Sequence, residues 1–322
     1  MNEPNFEEVA RKAKADASRA PPRIVNAREL LALPLPPREM VLAPVLPAKG
    51  LAMLYGPRGL GKTHVALGIA WAVASGGSFL KWQAPRARRV LYVDGEMPAA
   101  TMKERVAVLA VGGGPNLADG MLRFQLADMQ DDPMPDLGTT EGQAALEQCW
   151  GELPDLLILD NLSCLAGAVR DNEAESWSPM QAWLLSLRRR GTTVLVVHHA
   201  GKGGQQRGTS RREDVLDTVI ALKRPVDYVP ADGARFEIHL EKARGAFGEA
   251  TDPFEAAMQP AEHGRAAWVW EPLKGVILKK AAALMAEGIT VRDAADELGL
   301  SRSAVGRLYK RAKAEGMGDA RK

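Results

Sequence analysis

One eight-residue stretch constrains this chain more than any other feature, because it matches the pattern G-x-x-x-x-G-K-[ST] at every fixed position. The stretch is Gly56-Pro57-Arg58-Gly59-Leu60-Gly61-Lys62-Thr63. An apolar run precedes it and a helical run follows it, which is the context that a phosphate-binding loop requires. Its glycines allow the backbone N–H groups to surround phosphates. Lys62 is predicted to bind the terminal phosphates, and the Thr63 hydroxyl is predicted to ligate Mg²⁺.

Short apolar runs recur along the chain, and helical stretches separate the early ones. This alternation predicts a doubly wound α/β sheet with buried parallel strands. The later runs lack long intervening helices, so we expect the sheet to end in an antiparallel edge. The predicted strands are Leu51–Tyr55, Val90–Asp94, Leu122–Leu126, Leu156–Asp160, Thr193–His198, Val219–Lys223 and Phe236–Leu240. The predicted helices between them are Lys62–Ala74, Ala99–Leu109, Glu141–Trp150 and Ser176–Arg189.

The sequence pattern divides the chain into three parts. Residues 1–22 are polar and charged and are predicted to form a mobile arm. Residues 23–271 are predicted to form the α/β core, entered through a proline-rich strap at residues 33–48 that packs in an extended form. Residues 272–322 show no strand pattern and predict a small all-α module. Its predicted helices are Leu273–Ala286, Val291–Leu298 and Ser301–Ala314.

Composition argues against several classes of protein. The only cysteines, Cys149 and Cys164, lack metal-site spacing, which argues against a disulfide framework and a zinc site and suits a reducing cytoplasm. We find neither a secretory signal pattern nor an apolar run near the roughly 20 residues that a membrane helix needs. The net charge of +2 favours no particular partner, so the clustering of charge matters more.

Two acidic residues follow predicted strands and are candidates for chemistry beside the phosphate loop. Asp160 ends the apolar run that begins at Leu156, the Walker B arrangement in which the carboxylate holds Mg²⁺ through water. Glu96 follows the strand that comes next after the phosphate-loop helix, where a carboxylate can polarise the attacking water as general base. Asp94 competes for this role, and Gly95 is expected to free the backbone so that Glu96 points inward.

The adjacent histidines His198 and His199 close another predicted strand. Adjacent residues of a strand point to opposite faces, so joint metal ligation is disfavoured and one of the two can lie near the γ-phosphate. That histidine would report the presence of the phosphate to the loop that follows. The alternative is a histidine with satisfied hydrogen bonds and no catalytic part.

Together these features resemble the RecA-like ATPases, and within them the RepA-type hexameric replicative helicases. The resemblance covers about residues 27–250 and rests on the proline-rich lead, the phosphate loop, Asp94-Gly95-Glu96, the Walker B strand and His198-His199-Ala200-Gly201-Lys202. It implies a RecA-like fold that hydrolyses ATP with Mg²⁺, with Glu96 as the catalytic base and His199 as the γ-phosphate sensor.

The resemblance also covers Leu240-Glu241-Lys242-Ala243-Arg244, which looks like the paired Lys-x-Arg of RecA-like rings. In those rings the two cations reach the ATP of the neighbouring subunit. Lys242 and Arg244 would alternate onto one face of a strand, so both can meet one phosphate. The alternative is a solvated strand face. Cations that act across subunits require a homo-oligomer, and a hexameric ring is the expected form.

A basic, glycine-rich loop follows the paired histidines. Lys202, Arg207, Arg211 and Arg212 lie in it and are candidates for contacts with single-stranded DNA in a ring pore. No aromatic residue interleaves these cations, so base stacking is not indicated. A mobile surface loop without a DNA partner is the alternative.

The segment Thr290–Arg311 fits a helix-turn-helix. Small and apolar residues fall at the spacing that packs two helices across a tight turn, and these are Ala295, Gly299, Val305 and Leu308. Ser301 is expected to cap the second helix, from which Arg302 and Arg307 can meet duplex DNA, together with Ser303, Lys310 and Arg311. RepA-type helicases do not require such a tail, so its role is open between DNA binding and protein docking.

These observations lead to one principal function and two alternatives. The principal expectation is an ATP-driven motor on DNA, a ring-shaped replicative helicase of a plasmid, phage or other mobile element. The first alternative is a non-motor RecA-like switch that assembles on DNA. The second is a DNA-binding regulator whose oligomerisation is controlled by ATP.

Overall fold

The computed structural model describes residues 23–111, 117–167, 174–200, 214–260, 266–315 and 317. The chain divides into two compact units, Met1–Arg38 and Glu39–Lys322. In the first unit, helix α1 (Ala27–Ala32) begins with a capping box. The Asn26 side chain accepts a hydrogen bond from the Glu29 backbone N–H at 2.9 Å, and the Glu29 carboxylate accepts one from the Asn26 N–H at 3.0 Å. The predicted arm at residues 1–22 lies outside the described residues.

The second unit is built on a large mixed sheet. Two short strands, β1 (Met40–Leu42) and β2 (Leu46–Pro47), pair with each other, as do β4 (Ser78–Phe79) and β5 (Trp82–Gln83). The strands of the large sheet are β3 (Leu51–Gly56), β6 (Val90–Asp94), β7 (Leu122–Leu126), β8 (Leu156–Asp160), β9 (Thr193–His199), β10 (Thr218–Lys223), β11 (Arg235–Ala243), β12 (Phe254–Pro260) and β13 (Ala266–Pro272). Their order across the sheet is β13-β12-β11-β10-β3-β9-β8-β6-β7.

The sheet is parallel from β10 to β7 and antiparallel from β10 to β13, so the predicted antiparallel edge is confirmed. The seven predicted strands all form. Strands β12 and β13 were missed, because each contains two alanines and lacks a run of β-branched residues. A weak signal was present, since Phe254 and Ala256 are buried while Glu255 between them is partly exposed.

Helices cover both faces of the parallel part. They are α2 (Lys62–Ser75), α3 (Ala99–Val111), α4 (Thr140–Gln148), α5 (Leu162–Leu165) and α6 (Ala174–Arg190). Alternate residues of each strand supply two separate cores. On β3, Ala52 and Leu54 face the core that contains α2, whereas Met53 and Tyr55 face the core that contains α6. This doubly wound arrangement is the RecA-like α/β fold, as the sequence predicts.

The part of the strap that follows Arg38 belongs to the first of these cores, whereas Leu35 is 68% exposed. Val41, Leu42, Val45 and Leu46 are each at most 1% exposed and pack with the α2 residues. The sequence predicts an extended strap, but residues 40–47 form a hairpin, in which β1 and β2 pair antiparallel around a turn at Pro44 and Val45.

A helical module follows β13. Its helices are α7 (Leu273–Ala286), α8 (Val291–Leu298) and α9 (Arg302–Ala314). Ala295 and Val305 are buried between them, Leu308 packs beside Ala312, and Gly299 ends α8 with φ +62°, as the helix-turn-helix pattern requires. The Ser301 side chain caps α9 by accepting a hydrogen bond from the Ala304 N–H at 3.3 Å.

One ionic network joins this module to the sheet. The Arg235 guanidinium donates to Glu255 at 2.8 Å, to Asp232 at 2.9 Å and to Asp227 at 3.0 Å. The bond to Glu255, with those to Asp232 and Asp227, raises the pKa of Arg235 despite its partial burial. Lys280 of α7 donates to Asp227 at 2.8 Å. The network therefore links the loop before β11 to the helical module.

Arg235→Ala is expected to lower the free energy of unfolding by about 2–4 kcal/mol, because it leaves three carboxylates close together, of which Lys280 pairs with Asp227 and Glu255. Chemical denaturation at neutral pH measures this loss. Arg292→Ala, at an exposed position of α8, is the control and should change stability by less than about 0.5 kcal/mol. Equal stability of the two variants would show that the network contributes nothing.

None of the helices in the described ranges is both long and apolar enough to cross a membrane.

Candidate functional site

The phosphate loop connects β3 to α2 at the carboxyl edge of the parallel strands. Gly61 has φ +105°, which a side chain disfavours, and a Cβ there would lie 2.9 Å from the Phe236 ring. Both the positive φ of the turn and the close packing against Phe236 therefore require glycine at position 61. The α2 N-terminus opens directly behind the loop, so its free N–H groups can face an anion.

Lys62 is the first residue of α2 and is only 6% exposed. Its ammonium group donates to the Pro57 carbonyl at 2.8 Å and to the Gly56 carbonyl at 3.0 Å. Burial lowers the pKa of Lys62 to about 8, with Asp160 and Glu96 opposing the shift. The side chain is thus folded back on its own loop, in position to turn towards a phosphate.

Thr63 and Asp160, the two predicted Mg²⁺ ligands, lie together. Thr63 hydrogen-bonds to the Asp160 carboxylate, and the Tyr92 hydroxyl donates to the same carboxylate at 2.6 Å. Burial raises the pKa of Asp160, against the effects of Tyr92, Thr63 and Lys62. A cation would favour the charged form of this 4% exposed carboxylate. Since Mg²⁺ takes oxygen ligands and usually keeps waters and phosphates, this donor set fits the ion.

Asp94 ends β6, and its side chain accepts hydrogen bonds from the turn that follows. Its Oδ1 accepts hydrogen bonds from the Met97 N–H at 2.6 Å and the Glu96 N–H at 2.9 Å. Burial raises the pKa of Asp94 to about 6, although these two backbone bonds oppose the shift. Asp94, the alternative candidate for the general base, lines the cavity together with Glu96. Its side chain also stabilises the turn that carries Glu96.

Glu96 projects into the same cavity from this turn. Its Oε2 accepts a hydrogen bond from the Asn161 side-chain amide, lies 3.7 Å from the Cys164 Sγ and lies 3.9 Å from the His199 Nε2. Gly95 does not adopt a positive φ. Its role is close approach, because a Cβ there would lie 2.9 Å from the Leu165 side chain and 3.1 Å from the Cys164 Cβ.

Of the paired histidines, His199 lines the cavity with Glu96, whereas the His198 side chain is 1% exposed and is absent from the described lining. Strand alternation explains the difference, because the two residues point to opposite faces of β9. His199 pairs in register with Gly56, the first residue of the phosphate loop. The sequence left open which histidine faces the site, and the geometry favours His199.

These residues surround one cavity of about 470 Å³. Its described lining also includes residues that sequence reasoning missed, namely His64, Met97, Pro98, Thr101, Arg105, Asn161, Gly233 and Ala234. Burial, with a smaller effect of Arg105, lowers the pKa of His64 to about 4, so this imidazole is neutral at pH 7. Arg105 adds a cation on α3, nine residues beyond Glu96.

Lys242 and Arg244 are not among the described residues that line this cavity. Lys242 pairs with Val219 beside an irregularity in the β10–β11 register. β11 ends at Ala243, so Arg244 lies just beyond the strand, where its guanidinium donates to the Asp214 carbonyl at 2.9 Å. Their predicted role across a subunit boundary stays a prediction.

The candidate DNA contacts fall into two groups. Lys202, Arg207, Arg211 and Arg212 lie outside the described residues. Arg302 and Arg307 are exposed on α9, the second helix of the helix-turn-helix. That helix carries further exposed cations, Lys310, Arg311 and Lys313. A basic, exposed second helix is what DNA recognition in the major groove requires.

Comparison with known proteins adds two family matches. The AAA domain model matches residues 14–205, and the Homeodomain-like domain model matches residues 276–320. No curated protein matches the chain. Among solved structures, it is similar to a KaiC-like protein from Pyrococcus horikoshii OT3, with 14% identity, a TM-score of 0.49, and coverage of 73% of this chain and 99% of that one. It is also similar to the flagellar accessory protein FlaH from Methanocaldococcus jannaschii, with 11% identity, a TM-score of 0.45, and coverage of 69% and 90%.

Proposed function

The chain belongs to the AAA domain family, and from this premise we propose that it hydrolyses ATP and acts as a motor on DNA. One observation carries the proposal. Lys62, Thr63, Glu96, Asp160 and His199 come from four different strand ends and line a single cavity. Ligands of open α/β sheets bind at this carboxyl edge, and these side chains supply the groups that phosphoryl transfer to water requires.

In this proposal Thr63 and Asp160 hold Mg²⁺ together with the phosphates of ATP. The ion, when bound, neutralises charge on the β- and γ-phosphate oxygens. The chain's own contribution is an oxygen donor set that is already assembled, since Thr63 and Tyr92 both hydrogen-bond to the Asp160 carboxylate.

The chemical step is assigned to three side chains. Glu96 accepts a proton from the attacking water, because it is a carboxylate that faces the cavity two residues beyond β6. Lys62 leaves the Gly56 and Pro57 carbonyls and stabilises charge that develops on the transferred phosphoryl group. His199, which lies beside Glu96, contacts the γ-phosphate and loses that contact when the phosphate leaves.

The proposed motor is a ring-shaped replicative helicase of the RepA type, serving a plasmid, phage or other mobile element. Residues 23–271 would form the ATPase core and residues 272–322 the DNA-binding module. Support comes from the paired histidines, from the Lys242 and Arg244 pair outside the chain's own cavity, and from the exposed cations of α9. In this proposal single-stranded DNA occupies the ring, and the helix-turn-helix meets duplex DNA.

The test is the ATPase rate with and without single-stranded DNA, combined with mass photometry in Mg²⁺ and ATP. Stimulation of turnover by the DNA, together with a six-subunit species, is the expected result. A matched mixture with EDTA measures the background. If the protein is a monomer or dimer and its ATPase rate is the same with and without DNA, the motor function is refuted and the ATPase activity is not.

A second candidate function is favoured by the helical module. Its match to the Homeodomain-like model indicates a DNA-recognition unit, and the hydrogen bond from Lys280 to Asp227 joins that unit to the loop before β11. This arrangement suits a switch or regulator in which ATP controls assembly on duplex DNA. It predicts slow turnover and sequence-specific duplex binding that Arg302→Ala and Arg307→Ala weaken by about 1–3 kcal/mol each.

Arg244→Ala is expected to keep ATP binding and the oligomer but to lower turnover by about 100-fold, because one cation that meets the neighbouring subunit's phosphates is removed. Steady-state ATPase assays and mass photometry measure both properties. Arg292→Ala serves as the control, since it removes an exposed arginine from the helical module. Wild-type turnover in the Arg244 variant would refute the action of this residue across the subunit boundary.

A further inference from the structure

Burial does not hold the Glu96 side chain in a single orientation. Its side chain is 61% exposed, and it lies in a turn beyond the end of β6. A general base must nevertheless meet its water within hydrogen-bond reach, and small misplacements are costly to the rate. The groups that contact the Glu96 carboxylate therefore bear on catalysis.

Asn161 is the contact that the fold fixes most firmly. It directly follows Asp160 and is 3% exposed. Its Oδ1 accepts a hydrogen bond from the Cys164 N–H at 3.2 Å and so caps α5. The same amide group donates through Nδ2 to Glu96 Oε2. Because the cap uses the oxygen, the amide is held with its N–H group towards the carboxylate.

The surrounding backbone fixes the distance between these two residues. Asp94 and Asp160 are register partners of the neighbouring parallel strands β6 and β8. The Gly95 N–H donates to the Asp160 carbonyl at 2.8 Å, one step beyond that pair. The absence of a Cβ at Gly95 lets Cys164 and Leu165 of α5 approach closely. Asn161 and Glu96 thus lie beyond the ends of two neighbouring strands that are hydrogen-bonded to each other.

We propose that Asn161 is a positioning residue, whose side-chain amide orients Glu96 towards the attacking water. The inference rests on the proposed function, since it concerns the base of that reaction. The amide does not touch substrate in this assignment. It acts by limiting the rotamers of the exposed Glu96 side chain. Because Asn161 directly follows Asp160, the orientation of the base is also linked to the position of the Mg²⁺ ligand.

The test uses Asn161→Ser in the full chain. Serine is as good a helix cap as asparagine, so folding is preserved while the amide donor is lost. We expect kcat for ATP to fall by about 5- to 50-fold and KM to stay within about twofold, because ground-state binding does not use the amide. Asn26→Ser, the same substitution at the cap of α1, is the matched control and should leave both constants unchanged.

A double-mutant cycle with Glu96→Gln separates positioning from a merely structural role. If Asn161 acts through Glu96, Asn161→Ser should slow the Glu96→Gln variant by less than about twofold. Wild-type kcat in Asn161→Ser, or an equal loss in both backgrounds, would overturn the inference. If the thermal melting curve shows that the serine variant is unfolded, Asn161→Thr, which is also a helix cap and adds no charge, is measured in its place.

The outcome also distinguishes this inference from the proposed function. Full turnover in Glu96→Gln alone would remove the base assignment, and the positioning role would fall with it. An inactive Glu96→Gln variant beside a fully active Asn161→Ser variant would remove only the role of Asn161.

Discussion

Glu96→Gln is expected to bind ATP normally and to hydrolyse it about 1,000-fold more slowly than the wild type, as the loss of a general base predicts. Glutamine keeps the size of the side chain and can still hydrogen-bond to Asn161, but it cannot accept the proton of the attacking water. The Asp94 carboxylate does not replace it, because both backbone N–H groups of the turn already use one of its oxygens. Single-turnover hydrolysis and equilibrium binding of labelled ATP measure the two effects.

The matched control is Glu104→Gln, which removes an exposed carboxylate from α3, the helix that follows the turn that carries Glu96. It should retain the wild-type rate, since Glu104 is not among the described cavity residues. If Glu96→Gln kept normal turnover, Asp94 would become the leading candidate. Asp94→Asn would then be the decisive variant, because asparagine can still accept the two backbone hydrogen bonds.

The fold was largely predictable because two periodicities dominate it. Buried parallel strands tend to appear as apolar runs. The six parallel strands form within one residue of their predicted bounds, and the antiparallel β11 extends three residues beyond its predicted end. Strands β12 and β13 were not predicted, because their stability comes from pairing with each other and from packing of Phe254 and Trp268 in the core. Such pairing is non-local, so the local sequence carries only a weak sign of it.

The site was predictable as far as it depends on strand ends. Because the carboxyl ends of parallel strands share one edge, residues from the phosphate loop, Glu96, Asp160 and His199 meet there. The contacts among side chains were not predictable. Tyr92 reaches the Asp160 carboxylate from the neighbouring strand, and Arg105 enters the cavity from a helix. Asn161 carried a usable signal, since asparagine directly before a short apolar helix is a typical cap.

Lys62→Ala is expected to abolish measurable turnover, a loss of more than about 1,000-fold, because the cation that stabilises charge on the transferred phosphoryl group is removed. ATP affinity should fall as well, by at least about tenfold, since the ammonium group also meets the phosphates in the ground state. The fold should survive. Burial lowers the pKa of Lys62 to about 8, so the charged form, which still predominates at pH 7, is less favoured in the folded chain than in the unfolded chain.

The Lys62→Ala variant is informative because its fold is expected to stay intact while its activity is lost. Removing the ammonium group deprives the Gly56 and Pro57 carbonyls of one donor, but it also removes a buried charge, so the thermal melting temperature should change little. Lys103→Ala, at an exposed position of α3, is the control for the loss of a lysine and should keep both binding and turnover. Retained hydrolysis in Lys62→Ala, with an intact fold, would mean that the phosphates bind elsewhere than at this loop.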